Sequence, residues 1–153
     1  METDYINVRE YASGEVIFSQ GDESHCMYEV KRGRVGIYLN YGTKEEKLLS
    51  ELGTDAVFGE MGMVEGVPRS ASAVCLEDRT QIAEITWPLL GKYFKTKPSH
   101  VVQIMQQTSD RLRRANERNE EARRAIEAAV SAAEEQDCIK VRRILNRYLK
   151  EQT

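Results

Sequence analysis

Between Ile6 and Ile85 the apolar positions fall in short alternating or β-branched runs: EVIF at 15–18, MYEV at 27–30, RVGIYLNY at 34–41, KLLSEL at 47–52, SASAVC at 70–75 and TQIAEI at 80–85. Gly14, Gly21-Asp22, Gly33, Gly42 and Gly53 punctuate them. Alternation with period two turns one face of each run toward a core, and glycine supplies the turns, so the pattern predicts an all-β sandwich or barrel. After Trp87-Pro88 the period changes. PLLGKYF at 88–94 reads as a short helix with proline in its first turn, and Pro98-Ser99 opens a second helical run that continues to about Glu135 without glycine or proline. In DCIKVRRILNRYLK, residues Val141, Ile144, Leu145 and Tyr148 recur at i, i+3, i+4 and i+7, one face of an amphipathic helix that Asp137 can cap. The expected plan is a β-barrel with a short helix over 1–97, then helices over 98–153.

A length of 153 residues holds one ordinary domain and an appendage. Lys and Arg total 22 against 25 Asp and Glu, a net charge of -3, so no global positive field draws the chain to nucleic acid or to an anionic membrane. Cys26, Cys75 and Cys138 lie far apart, with no CxxC or Cys/His cluster. That predicts a reduced protein without structural zinc or an iron–sulfur centre. METDYINVRE lacks a basic n-region and an apolar h-region, and no stretch approaches the ~20 apolar residues of a membrane span. The expectation is a soluble, cytoplasmic chain with no metal, no membrane and no nucleic acid among its partners.

The chemistry concentrates in FGEMGMVEGVPRSASA at 58–73. Glu60 and Arg69 stand among Phe58, Met61, Met63, Val64, Val67, Ala71 and Ala73, which places both charges at the edge of a core, where an isolated charge is costly. A glycine turn leading into a short helical turn leaves backbone N–H groups near Gly59 to Gly62 that favour an anion. Arg69 offers a permanently charged planar fork for two phosphate oxygens, and an ionised Glu60 accepts a hydrogen bond from a sugar hydroxyl. Two readings fit: a pocket for a compact ligand bearing both phosphate and hydroxyl, or a plain Glu60–Arg69 ion pair. No catalytic constellation accompanies them. His25 and His100 lack acidic or cysteine partners at ligand spacing, and Ser13, Ser19 and Cys75 lack a base and an orienting acid, so no enzyme is expected.

The stretch GEMGMVEGVPRSAS resembles the phosphate-binding cassette of the cyclic-nucleotide-binding domains, the family that includes the catabolite activator protein and the regulatory subunit of cyclic-AMP-dependent protein kinase. GEVIFSQGD at 14–22 and MYEVKRGRVGIY at 27–38 match in order, and the resemblance runs over roughly residues 5 to 115. Glu29 departs from it, standing where the family often has an apolar residue. The resemblance implies a mainly β fold, a double-stranded β-helix (jelly-roll) barrel followed by long C-terminal α-helices. It implies a cyclic nucleotide as ligand, cyclic AMP favoured over cyclic GMP, with no further cofactor. Glu60 would then bond the ribose 2′-hydroxyl and Arg69 the exocyclic phosphate oxygens, with backbone amides at Gly59, Met61 and Ser70 completing the site. The Ser70 hydroxyl would reach the phosphate, contact a syn guanine, or face the barrel interior. The long helix would lid the base and bring Arg114, Asn116 and Asn119 toward it; each of these also reads as an ordinary solvated or interhelical residue.

The helical run from Ser99 fits heptads with Val102, Met105, Ser109, Leu112, Asn116, Asn119, Arg123, Ile126, Val130 and Ala133 on one seam; two readings fit, a homodimer through the C-terminal helices or, given three successive polar seam positions, a helix of which only the first turns pack on the barrel. The arginines from Arg111 to Arg124 alternate with Asp110, Glu117, Glu120 and Glu121, so helix-surface pairs such as Glu120–Arg124 explain them better than a basic patch does. The residues after the lid helix show no turn–helix signature and no basic recognition face. The leading expectation is a non-enzymatic cyclic-nucleotide sensor that signals through its C-terminal helices to an unidentified downstream protein. The alternative is an interaction or dimerisation module of the same fold that has lost nucleotide binding.

Overall fold

The computed structural model describes residues 6–134 together with Arg143, Asn146 and Arg147. The amphipathic face at Val141, Ile144, Leu145 and Tyr148 lies outside the described residues. Eight strands run β1 (Asn7–Tyr11), β2 (Val16–Phe18), β3 (Cys26–Arg32), β4 (Val35–Leu39), β5 (Lys47–Leu52), β6 (Val57–Phe58), β7 (Ser72–Cys75) and β8 (Thr80–Thr86). Three helices, α1 (Glu60–Glu65), α2 (Trp87–Thr96) and α3 (Pro98–Glu134), interrupt and follow them. The strands form two antiparallel four-stranded sheets, in the orders β1-β8-β3-β6 and β2-β7-β4-β5. No ladder joins one sheet to the other among the described residues, so the expected jelly-roll barrel takes the form of two open sheets packed together rather than a continuous closed ladder.

The alternation of β3 shows how the layers are built. Val30 enters the core between the sheets with Tyr11, Phe58 and Ile82 of one sheet and Val35, Ala73 and Cys75 of the other, and Tyr28 packs at the edge of that core. Met27 turns to the opposite face and joins Val57, Ile85, Met63 of α1 and Tyr93 of α2 in a second cluster. Side chains of successive strand residues point to opposite faces, so one strand can serve both cores. Met27, Val57 and Ile85 are at most 1% exposed, and full burial of such side chains stabilises by about 1.5–3 kcal/mol each. Leu89, Leu90, Phe94 and Ile104 extend the second cluster, so α2 and the first turns of α3 cover the sheet that carries β3.

Helix α2 begins where proline is tolerated, with Pro88 in its first turn. It ends at Lys97, the residue before Pro98, because a residue preceding proline is pushed out of the helical region. The 37 residues of α3 form one continuous helix, about 55 Å at 1.5 Å per residue. By its contacts the chain divides into two compact units, Met1–Ile104 and Met105–Thr153. On α3, Arg123 pairs with Glu120 at 2.9 Å and with Glu127 at 2.9 Å, so the expected acid–base lacing is present with Arg123 as the partner of Glu120.

Candidate functional site

Strand β6 ends at Phe58, and the chain turns through Gly59 into α1. Gly59 has φ 73 and ψ 11, the left-handed conformation that costs an L side chain about 1–2 kcal/mol. Space also demands glycine there. A Cβ would stand 2.8 Å from Nη1 of Arg69, 3.3 Å from the Tyr28 ring and 3.4 Å from the Phe18 ring. Three residues on, a Cβ on Gly62 would stand 2.5 Å from Oγ of Ser24 and 2.9 Å from the carbonyl oxygen of Val67. Gly66, again left-handed at φ 66, closes α1 with its N–H donating to the Gly62 carbonyl.

The chain then returns through Pro68 to Arg69, whose backbone is fastened on both sides to the Gly21-Asp22 turn. Arg69 N donates to the Asp22 carbonyl at 2.8 Å, and Gly21 N donates to the Arg69 carbonyl at 2.8 Å. The side chain runs inward and is 5% exposed. Nη1 donates to the Gly59 carbonyl at 2.5 Å and Nη2 to the Cys26 carbonyl at 2.7 Å, with the Cys26 Sγ at 3.6 Å. The guanidinium lies over the Phe18 ring at 4.3 Å and near that of Tyr28 at 5.4 Å, close enough for cation–π attraction. Phe18, Tyr28 and Phe58 form a tier of rings with centroids 5.4–6.0 Å apart. The Arg69 Nε–H is buried and has no hydrogen-bond partner among the described residues. Burial pushes both the Cys26 thiol and the Tyr28 hydroxyl above their ordinary values, so neither supplies a negative charge to this arginine at neutral pH.

Glu60, the first residue of α1, is 2% exposed, and Met61 beside it is half-buried. Ser70 is exposed, which removes the reading in which it faces the interior; the buried serine is Ser72, whose Oγ accepts from Gln20 N at 2.9 Å. Gly59, Glu60, Met61, Arg69 and Ser70 therefore belong to the start of one glycine-bounded helical turn and to the segment that leads from it into β7. Asn116 is exposed on α3 in the second unit. Phe18, Tyr28 and the Cys26 carbonyl were not among the candidates read from sequence. Their placement beside Arg69 comes from contacts 43 residues apart in the chain, as between Arg69 and Cys26, which no local pattern reports. What the structure offers here is a desolvated, permanently charged fork with an open N–H, next to a buried carboxylate at a helix start. That combination suits an anion carrying a hydrogen-bond donor. Among the described residues no group of three or more His, Cys, Asp or Glu could hold a metal ion.

Comparison with known proteins decides the family. The model of the cyclic nucleotide-binding domain matches residues 8–97. The chain belongs to the cyclic nucleotide-binding domain family. A cyclic AMP receptor protein of Thermus thermophilus is 38% identical over 79 residues, 52% of this chain and 37% of the receptor. A cAMP-dependent protein kinase regulatory subunit of Dictyostelium discoideum is 31% identical over 85 residues, 56% of this chain and 24% of the subunit. The chain thus matches well under two thirds of the length of these curated relatives. The crystal structure of the Thermus thermophilus catabolite activator protein superposes with a TM-score of 0.66 at 25% identity, covering 97% of this chain and 81% of that one. In this family the domain's matched span, residues 8–97, contains the whole of the turn from Gly59 to Ser70.

Proposed function

We propose that this chain is a non-enzymatic cyclic-nucleotide sensor, with cyclic AMP favoured over cyclic GMP. The observation that carries the proposal is Arg69. A guanidinium 5% exposed, steered by two carbonyls and two aromatic faces and left with an unpartnered buried N–H, is an expensive arrangement for a fold to keep unless an anion joins it. In this reading Arg69 takes the cyclic phosphate and Glu60 the ribose 2′-hydroxyl, while the amides of Gly59, Met61 and Ser70 close around the phosphate. The preference for cyclic AMP leans on the names of the relatives, which are a cyclic AMP receptor and a cAMP-dependent kinase subunit. Buried free cysteines at Cys26 and Cys75 suit a cytoplasmic setting, and no described helix is long and apolar enough to cross a membrane.

The output is assigned to α3. Of the large apolar side chains exposed on this helix, Val102, Met105, Leu112, Ile126 and Val130 all lie on the single heptad seam, and only Val101 falls off it. That stripe, interrupted by Asn116, Asn119 and Arg123 on the same seam, fits a face of a two-stranded coiled coil, and a homodimer through α3 is part of the proposal. Specific duplex DNA binding is not: within these residues the long helix carries acids and arginines in alternation rather than a basic face.

Titration calorimetry with cyclic AMP, cyclic GMP and a cyclic dinucleotide tests the reading. Cyclic AMP should bind most tightly, and Arg69→Ala should weaken it by at least about thirtyfold, since truncating one side of a buried charged hydrogen bond costs ~2–5 kcal/mol. No heat and no displacement with any of the three would instead favour the interaction module that has lost nucleotide binding. Wild-type affinity in a folded Arg69→Ala variant would remove Arg69 from the phosphate.

A further inference from the structure

On the face of β3 opposite the Arg69 site, a carboxylate is buried completely. Glu29 has no exposed surface, and five polar groups converge on it or its partners. Lys31 Nζ donates to Oε1 at 3.1 Å, Lys97 Nζ forms an ion pair with the same oxygen, and the Tyr93 hydroxyl donates to Oε2 at 2.9 Å. The Tyr93 oxygen stands 2.5 Å from Nδ1 of His100. Tyr93 has one proton and directs it to Glu29, so His100 must donate from Nδ1 to the Tyr93 oxygen. A directed chain results, from His100 through Tyr93 to Glu29. Asp55 lies 3.7 Å from Lys97 and completes the set.

The partners belong to the elbow between α2 and α3. Tyr93 is in the last turns of α2, Lys97 ends that helix with its N–H on the Tyr93 carbonyl at 2.9 Å, and His100 lies in the first turn of α3 with its N–H on the Lys97 carbonyl at 3.1 Å. With His100 neutral the charges balance, Glu29 and Asp55 against Lys31 and Lys97. A proton on His100, which is 7% exposed, adds a cation to a site already holding two and sharing one buried carboxylate between them.

We propose that this cluster is an acid-released latch, in which Glu29 fastens the α2–α3 elbow to β3 while His100 is neutral and the elbow loosens when His100 takes a proton. Burial disfavours the imidazolium, which puts the release below the ordinary histidine range of 6.5. The elbow is then an input for mild acidification that needs no nucleotide, and it holds whether or not the reading of Arg69 does.

Hydrogen exchange on the full, nucleotide-free chain at pH 7.5 and 5.5, corrected for the intrinsic pH dependence of exchange, tests it. Peptides spanning residues 93–104 should lose protection at pH 5.5 by up to about tenfold, the most that one group with an ordinary value of 6.5 allows between these pH values, while peptides from β7 and β8 stay better protected than the elbow at both. His100→Asn keeps an N–H donor for Tyr93 without a titrating group, and should make elbow protection the same at both pH values. Glu29→Gln should lower elbow protection already at pH 7.5. Equal corrected protection at both pH values in the wild type overturns the latch, and so does an elbow that exchanges no faster than β7 and β8 at pH 5.5, since the opening would then be global. The wild-type comparison needs no variant, so a failure of Glu29→Gln to fold does not shield the idea.

Discussion

Substitution of Gly59 by alanine separates backbone strain from placement of the arginine, provided that it is read against Gly66→Ala. Both glycines are left-handed, at φ 73 and φ 66, and both flank the same short helix. At Gly66 a Cβ meets nothing within 4 Å, so alanine there costs conformational strain alone, about 1–2 kcal/mol. At Gly59 the same strain applies, and the Cβ also lands 2.8 Å from the Arg69 Nη1 that donates to the Gly59 carbonyl. The guanidinium is the mobile end of a long side chain, so it yields before the backbone does. Its shift disturbs a charged hydrogen bond of about 1.5–3 kcal/mol and the stacking on Phe18. The expected stability loss is roughly 2–5 kcal/mol for Gly59→Ala and about 1–2 for Gly66→Ala. At about 2–4 °C per kcal/mol for a chain of this size, the melting temperatures should fall by roughly 4–20 °C and 2–8 °C. Binding should separate the two further. Cyclic AMP affinity, measured by calorimetry below both melting points, should drop by about tenfold or more for Gly59→Ala and by less than about threefold for Gly66→Ala. Equal affinity losses in the two variants would show that the approach of Gly59 to Arg69 has no part in binding.

Glu60→Ala should weaken cyclic AMP but leave the affinity of its 2′-deoxy analogue nearly unchanged, and an equal loss for both ligands in parallel titrations would take Glu60 off the ribose. Placing aspartate at both Leu112 and Ile126 puts charge on the apolar seam of α3 and should shift the sedimenting species from dimer to monomer; a monomeric wild-type chain would end that proposal. Thermal stability should fall in two stages on acidification. His100 is held below its ordinary 6.5 by burial, so the unfolded chain takes its proton first and stability declines as pH drops through and below about 6.5. Burial alone would raise Glu29, but hydrogen bonds from Lys97, Lys31 and Tyr93 outweigh it and hold it below 4.5. Its contribution is therefore intact above about 4.5 and lost below. Melts from pH 8 to 4 in the wild type and in His100→Asn should differ in the first stage only, and a first stage that survives in His100→Asn would refute the assignment.

Alternation revealed strands with a buried face, and also β5, KLLSEL, which is exposed at five of its six positions. β3 and β8 show it plainly, whereas β1, NVREY, is exposed at four of its five positions and pairs with β8 from Asn7 to Tyr11 as an edge. Its polarity hides it, because an edge strand needs only backbone partners and one anchoring side chain, here Tyr11. β6 escaped for another reason: two residues, Val57 and Phe58, are too few to carry a period, and only their pairing with Glu29 and Tyr28 defines them. The starts of α2 and α3 were legible to within a residue, since Pro88 and Pro98 mark them chemically.

The site was legible in its charges and illegible in its floor, and β3 shows why. Glu60 and Arg69 stand out because charge inside an apolar stretch needs an explanation that local sequence can pose. Phe18 and Tyr28 look like ordinary core aromatics, and nothing in EVIF or MYEV says that a guanidinium will lie on them. Glu29 was visible as an acid amid MYEVKR, yet its partners Tyr93 and Lys97 are 64 and 68 residues away. The register Tyr28↔Phe58 and Glu29↔Val57 assigns the faces. It turns Tyr28 toward Arg69 and leaves Glu29 to the helices, so one peptide unit of β3 separates the candidate ligand site from the elbow. A ligand that tightens Arg69 against Tyr28 and the Cys26 carbonyl therefore acts on the same strand that holds Tyr93 and Lys97. Coupling between them requires only that the strand's two faces have different preferred positions in the bound and free states.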